Sequence, residues 1–221
     1  YVKEQGLFCF DDRKQEFVSL KNDLPDDIRN FVIDSKDRIF FLTGHGQLLH
    51  YQLTVRNSCP ELSFKEEIRH CAPVSNIYLS QDCLIINDDR TLTVSQDNRI
   101  LDSINIPENK TVSQAICHGE YLLISFIEGG CIRYNLENGT STELLQLPEK
   151  ASIFTIYIGS QNILWVGTDG QGILEVYEHS SPFHTVKTNY PVRCFCEEDN
   201  GNILVGTKGE GILLLDKQER G

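Results

Sequence analysis

Two stretches near the end of the chain decide the fold: Ile163-Leu164-Trp165-Val166-Gly167-Thr168-Asp169-Gly170-Gln171-Gly172-Ile173-Leu174, and Ile203-Leu204-Val205-Gly206-Thr207-Lys208-Gly209-Glu210-Gly211-Ile212-Leu213. Each stretch is an apolar run, a glycine-rich turn and a second apolar run. A tight hairpin turn needs positive φ, which glycine adopts without steric cost. The same outline recurs in weaker form toward the N-terminus. The repeated element is therefore a hairpin of two β-strands.

The repeat has a period close to forty residues. The first apolar residue after each turn lies at positions 7, 48, 92, 132, 173 and 212. A second series precedes the turns and opens with Ile28, Val74, Val112, Ile153 and Val192. Each unit has room for four short strands bounded by Gly, Asn, Asp and Pro, and four strands in about forty residues is the period of a propeller blade. The second-strand residues expected to be equivalent are Phe41, Ile86, Phe126, Val166 and Val205.

The sequence therefore predicts an all-β fold, a β-propeller of four-stranded antiparallel blades with about six visible repeats. The predicted boundaries within this single propeller region are a partial blade at 1–24, blades at 25–70, 71–108, 109–149 and 150–189, and a partial blade at 190–221. Because the chain opens and closes in the third strand of a blade, we expect it to be part of a larger propeller. It begins at Tyr1 and contains no Met, so we expect the natural protein to start upstream.

Composition excludes several classes of partner and site. The formal net charge is -12, which repels phosphate backbones, so nucleic acid is not an expected partner. The eight cysteines show no C-x-x-C spacing, and most lie in apolar runs, where a thiol behaves as a small hydrophobe. We therefore predict mostly buried free thiols, with one or two disulfides left open. The histidines lie in unrelated contexts, so neither a metal site nor any cofactor is predicted.

The last repeats resemble a known family. The segment Glu197-Glu198-Asp199-Asn200-Gly201-Asn202-Ile203-Leu204-Val205-Gly206-Thr207 is similar to the two-component regulator propeller repeat, and Ile163-Leu164-Trp165-Val166-Gly167-Thr168 carries the tryptophan of that pattern. Asp23-Leu24-Pro25-Asp26-Asp27-Ile28 resembles the Leu-Pro segment that often opens such blades. The resemblance covers nearly the whole chain by period, but it is sharp only in the last two blades.

The resemblance implies a function. Proteins with this repeat are typically periplasmic sensor domains of hybrid two-component histidine kinases from Bacteroides-type bacteria, and they commonly detect glycan fragments. It implies a periplasmic ectodomain of an inner-membrane protein, which binds an oligosaccharide or another small ligand and contacts neighbouring domains of the same sensor chain. It also implies a homodimer that signals to a histidine kinase. This region itself is then not an enzyme.

The candidate ligand-binding residues lie in the turns between second and third strands. In propellers these turns share one face with the links between blades, and ligands usually bind there. The predicted ligand-binding residues are His45, Gln47, Asp88, Arg90, Glu128, Asp169, Gln171 and Lys208. Asp88 and Asp89 depart from the glycine-rich outline of the sister turns, which favours a functional role for that turn. No catalytic residue is predicted.

Alternatives remain open at several positions. Trp165 fits a core position better than a sugar-stacking platform, and Glu197-Glu198-Asp199 fits a solvated turn better than a pair of catalytic carboxylates. The sialidase Asp-box, the G-x-S-x-G elbow and glycine-rich phosphate loops are absent from the sequence. The two rival functions are a propeller glycan lyase or hydrolase, and a protein–protein interaction scaffold.

Overall fold

Every regular element that the computed structural model describes is a β-strand. The described residues are 6–12, 14–20, 24–56, 59–68, 74–147, 151–159, 161–177, 184–186 and 188–216, with the backbone alone at 56, 59 and 184–186. Among them no helix is long and apolar enough to cross a membrane.

The strands are short and are joined mostly by tight turns. Those of the first half are β1 (Leu7–Asp11), β2 (Glu16–Leu20), β3 (Ile28–Ile33), β4 (Arg38–Thr43), β5 (Leu48–Arg56), β6 (Cys59–Ile68), β7 (Asn76–Ser80), β8 (Cys83–Asn87), β9 (Thr91–Gln96) and β10 (Arg99–Asn105). Those of the second half are β11 (Val112–His118), β12 (Tyr121–Phe126), β13 (Gly130–Asn135), β14 (Ser141–Gln146), β15 (Ile153–Ile158), β16 (Leu164–Thr168), β17 (Ile173–Val176), β18 (His184–Val186), β19 (Val192–Glu197), β20 (Ile203–Thr207) and β21 (Ile212–Leu215).

Consecutive strands pair antiparallel into six separate sheets. Four sheets have four strands each, namely β3–β6, β7–β10, β11–β14 and β15–β18, and the described parts of the first and last sheets are β1–β2 and β19–β21. This is the arrangement of propeller blades. The predicted fold class, an all-β propeller built from four-stranded antiparallel units, is confirmed. The blade boundaries themselves stay a prediction.

The sheets group into two compact units, Tyr1–Asn105 and Ile106–Gly221. In the first unit, one core joins β1–β2 to β3–β6 through Leu7, Leu20 and Phe41. A second core joins β3–β6 to β7–β10 through Phe40, Leu42 and Ile77, among others. Each core therefore lies between the facing surfaces of two consecutive sheets.

The second unit repeats this scheme. One core joins β11–β14 to β15–β18 and contains Cys131, Ile153 and Val166. The next joins β15–β18 to β19–β21, where Trp165 packs with Val192 and Val205. Trp165 is only 1% exposed, so its indole is a packing group, as the core interpretation predicted.

A β-bulge recurs near the start of the first strand in four sheets. The register shifts fall between Ile28 and Asn30, between Val112 and Gln114, between Ile153 and Thr155, and between Val192 and Cys194. In two of these sheets the residue after the bulge ties the sheet to the next one. The Nδ2 of Asn30 donates to the Oδ1 of Asn76 at 2.9 Å. The Oε1 of Gln114 accepts from the Thr155 hydroxyl and the Ile156 amide, both at 2.8 Å.

Glycine recurs in the second strand because neighbouring atoms leave no room for a side chain there. A Cβ on Gly167 would lie 2.7 Å from the Cγ2 of Thr155 and 2.7 Å from the Cγ1 of Val192. Val192 belongs to the next sheet, so the missing side chain allows two blades to approach. On Gly206 a Cβ would lie 2.3 Å from the Sγ of Cys194.

The register corrects one predicted equivalence. Phe41, Ile86, Val166 and Val205 pair with equivalent first-strand residues, whereas the fourth-blade residue at this place is Ile124, paired with Ala115. Phe126 pairs with Val112 and lies two residues further along. The prediction for Phe126 is therefore wrong. The fourth blade has Ile-Ser-Phe in place of Val-Gly-Thr, so the sequence offers no glycine with which to fix the alignment.

None of the six cysteines whose side chains are described forms a disulfide bond, and they differ in exposure. Cys83, Cys117 and Cys131 are buried, Cys9 is half-buried, and Cys194 and Cys196 are exposed. The prediction that cysteines in apolar strands are buried is wrong for the last pair. Because Phe195 packs toward Trp165, strand alternation turns Cys194 and Cys196 to the opposite face. Cys59 and Cys71 lie outside the described side chains.

Replacing Gly167 with alanine should lower the free energy of unfolding by about 1–3 kcal/mol, because the new methyl group overpacks the contact with Val192. Urea denaturation measures the change. Gly170→Asn is the control: Gly170 has φ +82 with nothing within 4 Å of a Cβ, and asparagine tolerates this backbone. An equal decrease in the free energy of unfolding in the two variants would contradict the packing explanation.

Thiol labelling of the native protein should modify Cys194 and Cys196 first, with Cys83, Cys117 and Cys131 labelled only on unfolding. Burial raises the pKa of Cys131 to about 12, so this thiol stays protonated and unreactive near neutral pH. Peptide mass spectrometry after timed alkylation identifies each site. Rapid native labelling of Cys131 would show that the described core is wrong at that position.

Candidate functional site

The turns between second and third strands are tied to the segment that precedes the first strand of the same sheet. The amide of Gly44 donates to the carbonyl of Asp27 at 2.8 Å, and the amide of Ile127 to that of Thr111 at 2.9 Å. The amides of Asp169 and Lys208 donate in the same way to Ser152 and Pro191. These turns therefore lie beside the starts of the first strands, as expected for one face of each blade.

Four of the predicted ligand-binding residues belong to the first unit. The His45 side chain is 87% exposed, with its Nε2 3.7 Å from the Oδ2 of Asp27. The Nε2 of Gln47 donates to the Oε1 of Glu67 at 3.4 Å. Asp88 and Arg90 share the β8–β9 turn, where Arg90 is exposed. Of these four residues, Asp88 lines the cavity described below, Gln47 contacts the lining residue Glu67, and His45 lies at the surface.

The other four predicted residues belong to the second unit and are all exposed: Glu128, Asp169, Gln171 and Lys208. Partial burial acts to raise the pKa of Glu128, but hydrogen bonds from Thr111 outweigh it, so that this pKa lies below its ordinary value. One of these bonds runs from the Thr111 amide to Oε2 at 2.8 Å. No hydrogen bond or ion pair joins these four side chains to one another in the part of the chain that the structure describes. Their role as ligand contacts stays a prediction.

The Asp-Asp-Arg turn has a structural explanation. The Oδ1 of Asp88 accepts from the amides of Arg90 (3.0 Å) and Thr91 (2.7 Å), and its Oδ2 accepts from the Thr91 hydroxyl at 3.0 Å. Asp89 adopts a φ of 69°, a conformation that Asp tolerates better than most side chains. The two aspartates thus hold a turn without the glycines of the sister turns. The carboxylate of Asp88 is engaged inside its own turn.

A cavity of about 750 Å³ opens between the second and third sheets of the first unit, a volume suited to a small-molecule ligand. Its residues come from the end of β6, from β8, β9 and β10, and from the adjoining turns. They are Glu66, Glu67, Ile68, Leu84, Ile86, Asp88, Thr91, Thr93, Ser95, Asn98, Ile100 and Ser103. The aliphatic members form an apolar surface, and the hydroxyl and carboxyl groups provide polar contacts. A site of this kind accepts a ligand with both an apolar surface and hydroxyl groups.

The cavity arises where the third blade departs from the repeat. Register makes Thr93 the equivalent of Leu174, since Thr93 pairs with Ile86 and Leu174 with Val166. The residues at this place in the five sheets with a described second strand are Leu49, Thr93, Ile132, Leu174 and Leu213. Two residues on, the series is Tyr51, Ser95, Tyr134, Val176 and Leu215. Small hydroxyl side chains thus replace the bulky residues that fill this space in the sister blades.

Thr93 is available to a ligand. It is 8% exposed, it lines the cavity, and none of the described residues forms a hydrogen bond with its hydroxyl. A ligand that forms a hydrogen bond with this hydroxyl gains affinity from it. The hydroxyl of Ser95, by contrast, donates to the carbonyl of Leu84 at 3.2 Å.

His50 is a second buried polar group on this side of the second sheet. Its ring stacks on Phe40 with centroids 5.0 Å apart, and its Nδ1 lies 3.5 Å from the Oε1 of Glu66. Register pairs His50 with Glu66 and Leu48 with Ile68, so these four side chains share the face that lines the cavity. The Nε2 of His50 is buried, and no described residue forms a hydrogen bond with it.

A carboxylate–phenol pair in the second unit joins two sheets. The Tyr157 hydroxyl donates to the Oε2 of Glu197 at 3.0 Å. Burial is the largest cause that raises the pKa of Tyr157 to about 12, and the nearby Glu197 carboxylate adds to it. Glu198 accepts from the side chains of Asn200 and Asn202 and so belongs to the turn, as predicted for part of this triplet. Glu197 instead stabilises the contact between β15 and β19.

Sequence reasoning missed the residues that form the cavity, apart from Asp88. The signal was present in β9, where Thr93 and Ser95 occupy positions that hold bulkier residues in the other blades. No group of three or more His, Cys, Asp or Glu side chains able to hold a metal ion occurs among the described residues.

Comparison with known proteins identifies the class first. Solved propeller structures match the chain over most of its length, so the fold is that of a β-propeller. The extracellular domain of BT4673 from B. thetaiotaomicron, described as a one component system, matches with a TM-score of 0.71, 17% identity, and coverage of 96% of this chain and 30% of that one. The extracellular domain of BT3049 from the same organism is described as a hybrid two component system. It matches with a TM-score of 0.67, 16% identity, and coverage of 98% of this chain and 32% of that one. This chain thus spans about a third of the length of either domain.

The particular repeat is identified by its sequence. Residues 146–170 match the family described as two component regulator propeller, which confirms the predicted resemblance in the fifth blade. Virginiamycin B lyase from Staphylococcus aureus has the same fold, with a TM-score of 0.64, 13% identity, and coverage of 96% of this chain and 77% of the lyase. No curated protein matches the chain in sequence.

Replacing Asp88 with alanine should lower the free energy of unfolding by about 1–2 kcal/mol, because the amides of Arg90 and Thr91 lose their acceptor. Asp88→Asn keeps an oxygen at the same place and should lose less than half as much. Thermal and urea denaturation of both variants measure the difference. A loss as large for asparagine as for alanine would mean that charge, rather than the turn hydrogen bonds, explains the role of Asp88.

Proposed function

We propose that this chain is the ligand-sensing, extracytoplasmic propeller of a two-component sensor, that it detects a glycan fragment, and that it signals to a histidine kinase. The observation that carries the proposal is the cavity between β6 and β8–β10, formed where Thr93 and Ser95 replace the bulky residues of the sister blades. The regulator propeller repeat at 146–170 supplies the signalling context.

The chemistry of the cavity supports a sugar-like ligand. Ile68, Leu84, Ile86 and Ile100 offer an apolar surface to the C–H face of a sugar ring. Thr93 and Ser103 offer hydroxyl groups that no described residue occupies, and these match the hydroxyls of a saccharide. Mixed surfaces of this kind fix both affinity and orientation.

The signalling part of the proposal rests on the relatives. BT4673 and BT3049 are described as extracellular domains of signalling systems, which supports an extracytoplasmic location for this chain. Ligand binding would bias the parent protein between signalling states through differential affinity for those states. We further propose that neighbouring domains of the same sensor chain and a second copy of the sensor are the partners that transmit this bias.

The first test restores the repeat residues in the cavity. The double variant Thr93→Leu with Ser95→Val fills the space as Leu174 and Val176 do in the fifth blade. We expect oligosaccharide binding to weaken by about tenfold or more, which corresponds to about 1.4 kcal/mol, with stability unchanged or higher. Calorimetry with neutral plant and host oligosaccharides measures the affinity.

Thr142→Leu is the matched control, because Thr142 is an exposed β14 residue far along the chain from the cavity. Its affinity should equal that of the unaltered protein. Undiminished binding in the double variant would overturn the cavity as the site. The double variant His45→Ala with Lys208→Ala tests the predicted turn residues. If this variant loses oligosaccharide binding, the binding site lies in the turns instead.

A lyase is the second candidate, because virginiamycin B lyase shares the fold. The same oligosaccharides and a polysaccharide panel, incubated with the protein and separated by chromatography, should be recovered intact. Appearance of shortened or unsaturated products would replace the sensing proposal with an enzymatic one.

A further inference from the structure

The charged residues that line the cavity are acidic. Its lining contains Glu66, Glu67 and Asp88, and no lysine or arginine is among the described lining residues. Asp88 is engaged in its turn, as shown above, and Glu67 accepts a hydrogen bond from Gln47. Neither Glu66 nor Glu67 forms an ion pair with lysine or arginine in the described part of the chain. The charged residues of the described lining are therefore all acidic. The nearby guanidinium of Arg38, which donates to Asn98, is itself paired with Asp34 and Asp97.

Glu66 is the carboxylate best placed to meet a ligand. Register places its side chain on the same face as His50 and Ile68, toward the third sheet. Its neighbour Glu67 pairs with Leu49, and the Glu67 carboxylate already accepts a hydrogen bond from Gln47. The one described polar partner of the Glu66 carboxylate is the Nδ1 of His50, at the long distance of 3.5 Å. The carboxylate is thus free to accept hydrogen bonds from a bound cation.

The apolar surface and the unpartnered hydroxyl of Thr93 lie in the same cavity as this carboxylate. An ammonium group that approaches Glu66 would gain charge-assisted hydrogen bonds, which are stronger than those between neutral groups. The body of the ligand would cover Ile68 and Leu84, and one of its hydroxyls would reach Thr93. An anionic ligand would be repelled by the carboxylates of the lining.

We infer that the cavity selects a saccharide that carries a free amine, so that the ligand is a cationic amino sugar rather than a neutral or acidic one. This inference rests on the proposed function, because it names the charge class of the glycan fragment. It adds a specificity residue, Glu66, to the site.

The test compares ligands that differ only in charge. Glucosamine oligomers carry ammonium groups, whereas N-acetylglucosamine oligomers of equal length carry neutral amides. Calorimetry of the protein with both should give an affinity about tenfold higher for the amine, and the preference should shrink as salt rises from about 0.05 M to 0.5 M because the field is screened.

Two variants locate the preference. Glu66→Gln should remove most of it, through about a fivefold weaker binding of the amine and little change for the amide. Ile100→Arg should abolish amine binding by adding a cation, and because Ile100 is 66% exposed the fold should tolerate the change. Glu143→Gln, on exposed β14 of the second unit, is the control and should keep the full preference.

The outcomes separate the two proposals. Equal or tighter binding of the amide, or a preference that survives in Glu66→Gln, overturns the inference and leaves glycan sensing in place. Failure of every oligosaccharide, combined with Glu66-dependent binding of cyclohexanemethylamine, overturns glycan sensing and leaves the cation selectivity. Failure of all these ligands overturns both.

Discussion

Burial of one sheet face against the next is the interaction on which the rest of this structure depends. A single four-stranded sheet of this length cannot bury its apolar side chains by itself. In the first unit, Phe40 and Leu42 of β4 are covered by Ile77 and Leu84 of the following sheet. In the second unit, Val192 and Val205 cover Trp165 in the same way. Stability therefore accumulates at contacts between successive blades.

That constraint explains the residues that the repeat keeps. Gly167 is required because Val192 of the next sheet occupies the space of a side chain. The residue after the first-strand bulge is polar in Asn30 and Gln114, and each ties its sheet to the next through hydrogen bonds. The turns are constrained at single positions such as Gly129, where a Cβ would lie 2.5 Å from the carbonyl oxygen of Ala151. They vary in sequence from blade to blade, and they are free to acquire binding residues.

Much of the fold could be predicted because its signals are local and repeated. Apolar runs such as Ile153–Ile158, and glycine turns such as 168–173, mark strands at a fixed period, and the fifth-blade strands lie within a few residues of where the sequence puts them. The exposure of individual side chains was harder to predict, because it depends on which other parts of the chain pack against them. Cys194 and Cys131 both lie in apolar strands, yet one is exposed and the other buried.

The candidate site could be predicted only in part, because a cavity is defined by what is missing from a packed interface. The unusual Asp-Asp-Arg sequence singled out Asp88. In the structure, the two aspartates stabilise the turn itself, and Asp88 lines the cavity as a consequence of that turn's position. The informative departure was smaller: threonine and serine at 93 and 95, where other blades place leucine, tyrosine or valine. Such residues look ordinary in a strand, since threonine favours β-structure. They become informative once register aligns them with their equivalents.

The position of the cavity also determines what binding would affect. It lies between two sheets that are already joined by Asn30–Asn76, by the Ser35 hydroxyl to Asp82 at 2.5 Å, and by Arg38 to Asp97 at 3.3 Å. These contacts fix how β3–β6 meets β7–β10, and the last of them reaches the β9–β10 turn, whose Asn98 lines the cavity. A ligand seated on Glu66 of one sheet and Thr93 of the other would add a further contact across the same boundary. Its affinity would therefore depend on the spacing of the two blades, and any domain that alters that spacing would be coupled to ligand binding.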